Sequence, residues 1–475
     1  MKTIRFFLIL IAVFLIGTVL CFSKPGKAPA ADNSSKPSPS PKLTPIPEIQ
    51  EPFLPPPKKR AGPLLSLDEC LQTAFMKHPD ILFRRAAVDA QEARLQQVYA
   101  LYIPTINVTV NDTYQKVTPA NPIPSIAQSQ LNASYTLWDS KQRAEKLNSA
   151  RENLMAALLN LKSTWIDKVD EVRETYYGVV FEEWLLIIQE DGLAKAIENL
   201  RVANGFYQAG AKSKIDVTQA EIETERSQVQ LARVKTELLN AKVKLAKAVG
   251  IDVSEITDRQ LENILEQEMV LPDKNEAVSQ MEKSHPSLLT FLAQEKGAMA
   301  LAKAFENQVL PTIAAQASYG VLGQIIPNSV AWNIGATLTI PLSAGKAAKS
   351  QADEQKSLAG QFYQQKEIQK LTLIRNIDSA YSDIQGAKDR TEAATRQVKS
   401  AVLNFTLAYK RYKQGVSTII ELNSARDYLN NARNDYVLAL YDRKVAEARL
   451  VQAIGLPGFP VISTQQQQNP VQEKK

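Results

Sequence analysis

Histidine and cysteine are almost missing from this sequence, with only His78, His285, Cys21 and Cys70 among 475 residues. Catalysis and metal binding normally need clustered titratable side chains, and the two histidines stand far apart, each followed by proline. Turn or helix-start roles account for both, so neither a hydrolase nor a metal centre is indicated. Gly345-Lys346 lacks the glycine loop that should precede it in a phosphate site. No enzyme activity and no cofactor is expected. A strong excess of one charge is missing too: basic and acidic residues number 56 and 50 and are interspersed along the chain, which argues against nucleic-acid binding. Proline is absent between Pro124 and Pro272 and again between Pro341 and Pro457, which removes the strongest helix breaker from two long stretches.

The first thirty residues do contain a pattern. Lys2 and Arg5 precede the apolar run "FFLILIAVFLIGTVL", and "APA" follows at 28–30, the layout of a secretory signal peptide over 1–30. A retained anchor helix is the rival reading, and lipidation at Cys21 a second. The residue before Cys21 is leucine, where lipoprotein signals prefer a small side chain. Removal of 1–30 takes away four basic residues and no acid, leaving 52 against 50. Only Cys70 then remains, so no intramolecular disulfide can form, and stability must come from packing or assembly. Residues 31–66 are rich in proline and small polar residues and read as a linker, and 458–475 as an unstructured tail.

Between them lies a duplication. "YQAGAKSKIDVTQAE" at 207–221 answers "YKQGVSTIIELNSAR" at 412–426, "HP" at 78–79 answers 285–286, "PTI" at 104–106 answers 311–313, and "AVG" at 248–250 answers "AIG" at 453–455. Order and spacing are kept, so residues 67–271 and 272–457 are two copies of one unit. Leu158, Trp165, Val172, Val179, Leu186, Leu193, Leu200 and Tyr207 stand at steps of seven, and Ile377, Ile384, Thr391, Val398, Phe405 and Tyr412 repeat the last six. That step predicts left-handed coiled-coil packing. A helix over roughly 139–204 would be about 100 Å long at about 1.5 Å per residue. A return helix over roughly 216–249 would make each glycine-containing tip, Gly210 or Gly415, the turn of an antiparallel hairpin.

A second period interrupts the first. Residues 104–114 alternate Ile106, Val108 and Val110 with polar residues, and 130–138 alternate Leu131, Ala133, Tyr135 and Leu137. The second unit offers 312–321 and 330–340, with loops near 115–127 and 322–329. Four amphipathic strands of about ten residues suit one layer of a soluble sheet, or a membrane wall. No obvious second layer is available to cover them, and their length matches a tilted bilayer crossing. Four strands cannot stand alone in lipid, because unpaired edge groups are costly there. Two chains would supply eight strands and three would supply twelve.

With two helix–strand–strand–helix units and "Y-x-x-G-x(5)-[DE]" at both tips, residues 67–457 resemble the TolC-like outer-membrane efflux proteins. The resemblance implies a mainly α fold with a membrane β-barrel contribution: long antiparallel coiled-coil hairpins forming a trimeric α-barrel tunnel below a shared 12-stranded β-barrel. It implies an outer-membrane homotrimer in contact with lipid and extending into the periplasm, which serves as the passive exit duct of a tripartite efflux or type I secretion system. Its partners would be a periplasmic adaptor, docking at the tips near Gly210 and Gly415, and an inner-membrane transporter. Asp216 and Tyr412 fall where family members link tip helices by a carboxylate–hydroxyl hydrogen bond. Glu421 matches a first acidic ring at the constriction, Ser424 stands where a second acid is usual, and Ser417 replaces a locking arginine. Three copies of Glu421 around one axis would attract cations. Asp216 and Glu421 also suit a plainer role, since an acid is favoured at a helix start. The alternative is a periplasmic or surface-attached coiled-coil scaffold without a pore, which explains the heptads and leaves the four strands without purpose.

Overall fold

The structure, a computed structural model, describes residues 51–56, 64–115, 123–267, 269–324, 329–343 and 345–456. The signal segment, Cys21, the linker before Glu51 and the tail over 458–475 lie outside them.

The first unit runs through β1 (Leu64–Leu65), α1 (Leu67–Lys77), α2 (Pro79–Ala100), β2 (Thr105–Gln115), β3 (Ile123–Trp138), α3 (Gln142–Gln208) and α4 (Lys214–Val249). A connector follows, with α5 (Ser254–Thr257) and β4 (Gln260–Leu261), the latter pairing in parallel with β1. The second unit repeats the plan with α6 (Lys274–Ser284), α7 (Pro286–Glu306), β5 (Thr312–Gln324), β6 (Ser329–Thr339), α8 (Gly345–Lys413) and α9 (Ile419–Ile454). The 67 residues of α3 and 69 of α8 are each about 100 Å long at about 1.5 Å per residue.

Each long helix is matched by two shorter ones placed end to end. The junction explains why "HP" and "A-[VI]-G" recur in register. His78 caps α2, its Nδ1 accepting from the Asp80 amide at 3.1 Å, with proline at the first helical position. His285 does the same for α7, accepting from the Ser287 amide at 3.3 Å and the Ser287 hydroxyl at 2.7 Å. The glycines that end α4 and α9 abut these rings: a Cβ on Gly250 would lie 2.9 Å from His78 Cα, and one on Gly455 would lie 2.7 Å from His285 Cδ2. Each imidazole also meets a carbonyl in the last turn of that returning helix, Lys247 for His78 and Gln452 for His285. The first and last motifs of a unit thus touch and close it.

Along α3 the seven-residue step is buried from Trp165 through Val172, Val179 and Leu186, whereas Leu158 and Tyr207 are exposed. The helix changes partners along its length. Its first part packs on α2 and α7, with Gly297 against Asn153; its last part packs on α4 and α9, with Gly192 against Asn430, and the buried positions there become Ala196, Asn199 and Ala203. The α8–α9 hairpin is held differently. Ala380, Ala387, Ala394, Ala401 and Ala408 on α8, and Ala425, Ala432, Ala439, Ala446 and Ala453 on α9, are all buried at steps of seven. These two methyl-sized seams let the helix backbones approach closely, with Val398, Phe405, Leu422 and Leu429 filling the space between.

The strands form one antiparallel sheet in the order β2-β3-β5-β6. They run further than their patterns suggested, since β3 begins at Ile123 and β5 continues to Gln324, into segments read as loops. Register lines up Val108, Leu131, Tyr319 and Trp332 across the sheet, with Ile106, Ala133, Ala317 and Ile334 beside them. The opposite face carries Asn107, Asn132, Ser318 and Asn333. One detail departs from simple alternation: a bulge between Thr136 and Trp138 puts Trp138, rather than Leu137, opposite Ile313. The strand is there turning into α3, and Ser140 and Lys141, in the left-handed region, complete the turn.

Residues 51–56 belong to the stretch read as linker, yet they are packed. Phe53 meets the Tyr436 ring edge-on at 4.9 Å, and Arg433, fully buried, donates to the Pro52 carbonyl at 2.7 Å and to Asp191 at 2.7 Å. Glu51 completes the group by pairing with Lys195 at 3.0 Å.

Candidate functional site

Two regions carry features that folding alone does not require: the helical tips and the outer face of the sheet. At both tips the outgoing helix ends in the same way. The Gly210 amide bonds to the Tyr207 carbonyl and the Ala211 amide to Phe206; the Gly415 amide bonds to Tyr412 and the Val416 amide to Arg411. This paired closure needs a left-handed residue, and Gly210 and Gly415 have φ of 71° and 74°. Space around both is open, so the glycines serve backbone geometry rather than close packing.

The return helices start with side-chain caps. Ser213 and Asp216 form a capping box, in which the Asp216 carboxylate accepts from the Ser213 amide at 3.3 Å. The Thr418 hydroxyl accepts from the Glu421 amide at 3.2 Å. The expected Asp216–Tyr412 hydrogen bond is not formed within the chain. Asp216 is occupied by its own cap, while Tyr412 is fully buried in the tip core, packed edge-on against Phe206 at 5.8 Å, its hydroxyl without a hydrogen-bond partner among the described residues. Burial, with the nearby Asp216 charge second, pushes the Tyr412 phenol above its ordinary value.

Glu421 is surrounded more closely than its position in the sequence indicated. Its carboxylate accepts from the Ser417 hydroxyl at 2.8 Å and pairs with Arg411 at 3.0 Å. Ser417, where a locking arginine was expected, therefore orients the acid, and the cation comes from Arg411 on the opposite arm of the hairpin. Ser424 lies one turn further along α9, exposed. Lys212 ties the two tips together by donating to the Ser417 carbonyl at 3.1 Å. Deeper in the bundle, fully buried Arg426 pairs with Glu223 and with Asp427 at 2.8 Å. Removing either carboxylate would leave part of a buried charge uncompensated. The sequence signal for Arg411, Arg426 and Arg433 was faint, because their partners Glu421, Glu223 and Asp191 lie on other helices.

The sheet presents the second feature. Val108, Trp332 and Ile334 are 68%, 71% and 79% exposed, and Ile106, Val110, Tyr319, Val330 and Leu338 share that face. No described helix or strand covers it. The outer edges of β2 and β6 have no strand beside them among the described residues. Among the described residues no helix is long and apolar enough to cross a membrane, and no group of histidine, cysteine and carboxylate side chains could hold a metal ion.

Comparison with known proteins agrees with this geometry. The profile of the family described as outer membrane efflux protein matches residues 70–251 and 277–456, one segment in each unit. Outer membrane efflux protein BepC of Brucella suis is 23% identical over 394 residues, covering 82% of this chain and 85% of BepC. Pyoverdine export outer membrane protein OpmQ of Pseudomonas aeruginosa is 22% identical over 410 residues, covering 82% and 85%. The crystal structure of the Campylobacter jejuni CmeC outer membrane channel superposes with a TM-score of 0.72 at 16% identity, covering 82% of this chain and 85% of CmeC.

Proposed function

The chain belongs to the outer membrane efflux protein family, and from that premise we propose how its two regions work together. It is an outer-membrane efflux channel whose helices extend into the periplasm. Three copies place their four strands each in one twelve-stranded barrel, and their helices continue the conduit below it. The channel is a passive duct. Energy comes from an inner-membrane transporter, and a periplasmic adaptor docks at the tips around Gly210 and Gly415.

The observation that supports this reading most is the open sheet. An apolar face of large side chains, backed by a polar face and bounded by two unpaired edges, is unstable as a soluble layer and suits a wall closed by further copies in lipid. A scaffold without a pore has no use for it. At the other end Glu421, three times around one axis, forms the cation-attracting constriction, moderated in each chain by Arg411. Tyr412, Asp216 and Ser424 flank it, and the Tyr412 hydroxyl meets Asp216 only if the tip helices shift.

The test is the location and mass of the protein. Detergent extracts of outer membranes are expected to hold it as a stable trimer by native mass spectrometry. A monomer recovered from the soluble periplasmic fraction would remove the channel in favour of the scaffold.

A further inference from the structure

We infer that the rim where strands pass into helices is a collar for anionic phospholipid headgroups, built by Lys141, Lys146, Lys346 and Lys349. The inference rests on the outer-membrane channel reading and adds to it the class of lipid the channel selects.

Position is the first ground. Helices α3 and α8 begin within a few residues of the ends of β3 and β6, and the row Trp138, Ile313, Leu338 is the last of the apolar face. Just beyond it Ile103, Ile340 and Leu342 are still exposed. Eleven residues, the length of β2 and β6, span about 36 Å at about 3.3 Å each, and tilting by about 40° leaves roughly 28 Å of height, close to the apolar band of an outer-membrane barrel. The lysines lie within about 8 Å of the helix starts at about 1.5 Å per residue, the depth of a headgroup layer. Tyr99, Tyr102 and Trp138, all partly exposed near this level, are the aromatic types that gather at such boundaries.

Charge is the second ground. The two helix starts, 141–146 and 345–349, hold five cations and one acid. Of the cations only Arg143 is engaged, donating to Asp139 at 2.8 Å and to the Leu101 carbonyl at 3.1 Å and lying over the Tyr102 ring at 4.8 Å. The four lysines are exposed and have no acidic partner among the described residues. Asp139 pairs with Arg143 and Glu306 with Lys356, whereas Glu145, within the start of α3, accepts only from the Asn148 side chain, at 3.5 Å, among the described residues. Folding does not call for lysines here, because a helix start disfavours cations. At the tips α4 and α9 carry Asp216 and Glu421 in their first turns, although α4 opens on Lys214; at the rim α3 carries Glu145 there and α8 no acid. A row of phosphates at the rim reverses the balance, since helix starts and lysines then act on the same anions.

The test compares the full-length channel with a variant carrying Lys141→Gln, Lys146→Gln, Lys346→Gln and Lys349→Gln, and with the corresponding four-site arginine variant. Each is reconstituted into phosphatidylcholine vesicles containing spin-labelled phosphatidylglycerol or spin-labelled phosphatidylcholine. The native channel is expected to immobilise the anionic probe about threefold more than the neutral one at low salt, with the preference fading near 1 M salt. The glutamine variant should lose the preference and the arginine variant keep it. Equal immobilisation of both probes by the native channel overturns the collar, as does a preference that survives in the glutamine variant. If the glutamine variant loses its trimer in neutral vesicles, the lysines serve acids of a neighbouring copy and the collar is wrong. Insertion of all three proteins into neutral vesicles keeps the channel reading separate from these outcomes; failure of every protein to insert removes that reading and the collar with it.

Discussion

His285 is buried between the start of α7 and the end of α9, and burial lowers its imidazole to about 4, with the bond to the Gln452 carbonyl acting the other way. A folded-state value below the unfolded one means the unfolded chain binds the extra proton. Stability from this group is therefore complete above about pH 6.5 and is lost as pH falls towards 4, by about 3 kcal/mol per chain. His78 is shifted in the same direction, with burial the first cause and the Lys168 charge the second. Thermal unfolding measured from pH 7 to 4 should show this slope, and His285→Gln should flatten it; an unchanged slope would contradict the assignment. The glycines separate two costs at the same scale. Gly210→Ala meets open space and should cost about 1–2 kcal/mol for its left-handed backbone, whereas Gly455→Ala adds a collision with His285 and should cost clearly more in the same melts. At the tip, Glu421→Ala is expected to reduce cation preference in single-channel recordings and Arg411→Ala to increase it. Selectivity unchanged in both would remove the acidic constriction.

Among the elements, the α8–α9 hairpin depends on its alanine seams. Ala432→Leu forces three extra carbons into a fully buried position and should cost about 1–3 kcal/mol, while Val416→Leu, on an exposed tip, should stay within about 0.5 kcal/mol. Equal melting temperatures for the two variants would show that the seams are not tight. The long helices, both hairpin turns and all four strands were legible because each writes a period or a repeat into the sequence. Trp165 to Leu186, Ile106 to Val110 and Gly210 with Gly415 are of this kind. The seams were not, since alanine is common on any helix and its seven-residue recurrence is visible only once burial is known. The start of β3 was missed for a different reason: Pro124 falls at its second residue, where an extended backbone tolerates proline. Arg426 with Glu223, and Arg433 with Asp191 and the Pro52 carbonyl, are pairings set by tertiary structure alone. The same holds for Phe53 on Tyr436, which gives a proline-rich segment a fixed place.

At the scale of the whole molecule, one chain is an incomplete object. Its helical part buries its own cores, but its sheet has an apolar face and two edges that no other described element covers. In the proposed trimer, three copies in a membrane would resolve both at once and would align the tips beneath a shared barrel. The measurement that bears most directly on this is conductance of purified protein in planar lipid bilayers, recorded for the native chain and for Leu422→Asp, which places a charge in the buried tip core. Discrete ion-conducting steps, larger or more frequent in Leu422→Asp, are the predicted result. Correctly inserted protein that never conducts, in either form, would contradict it.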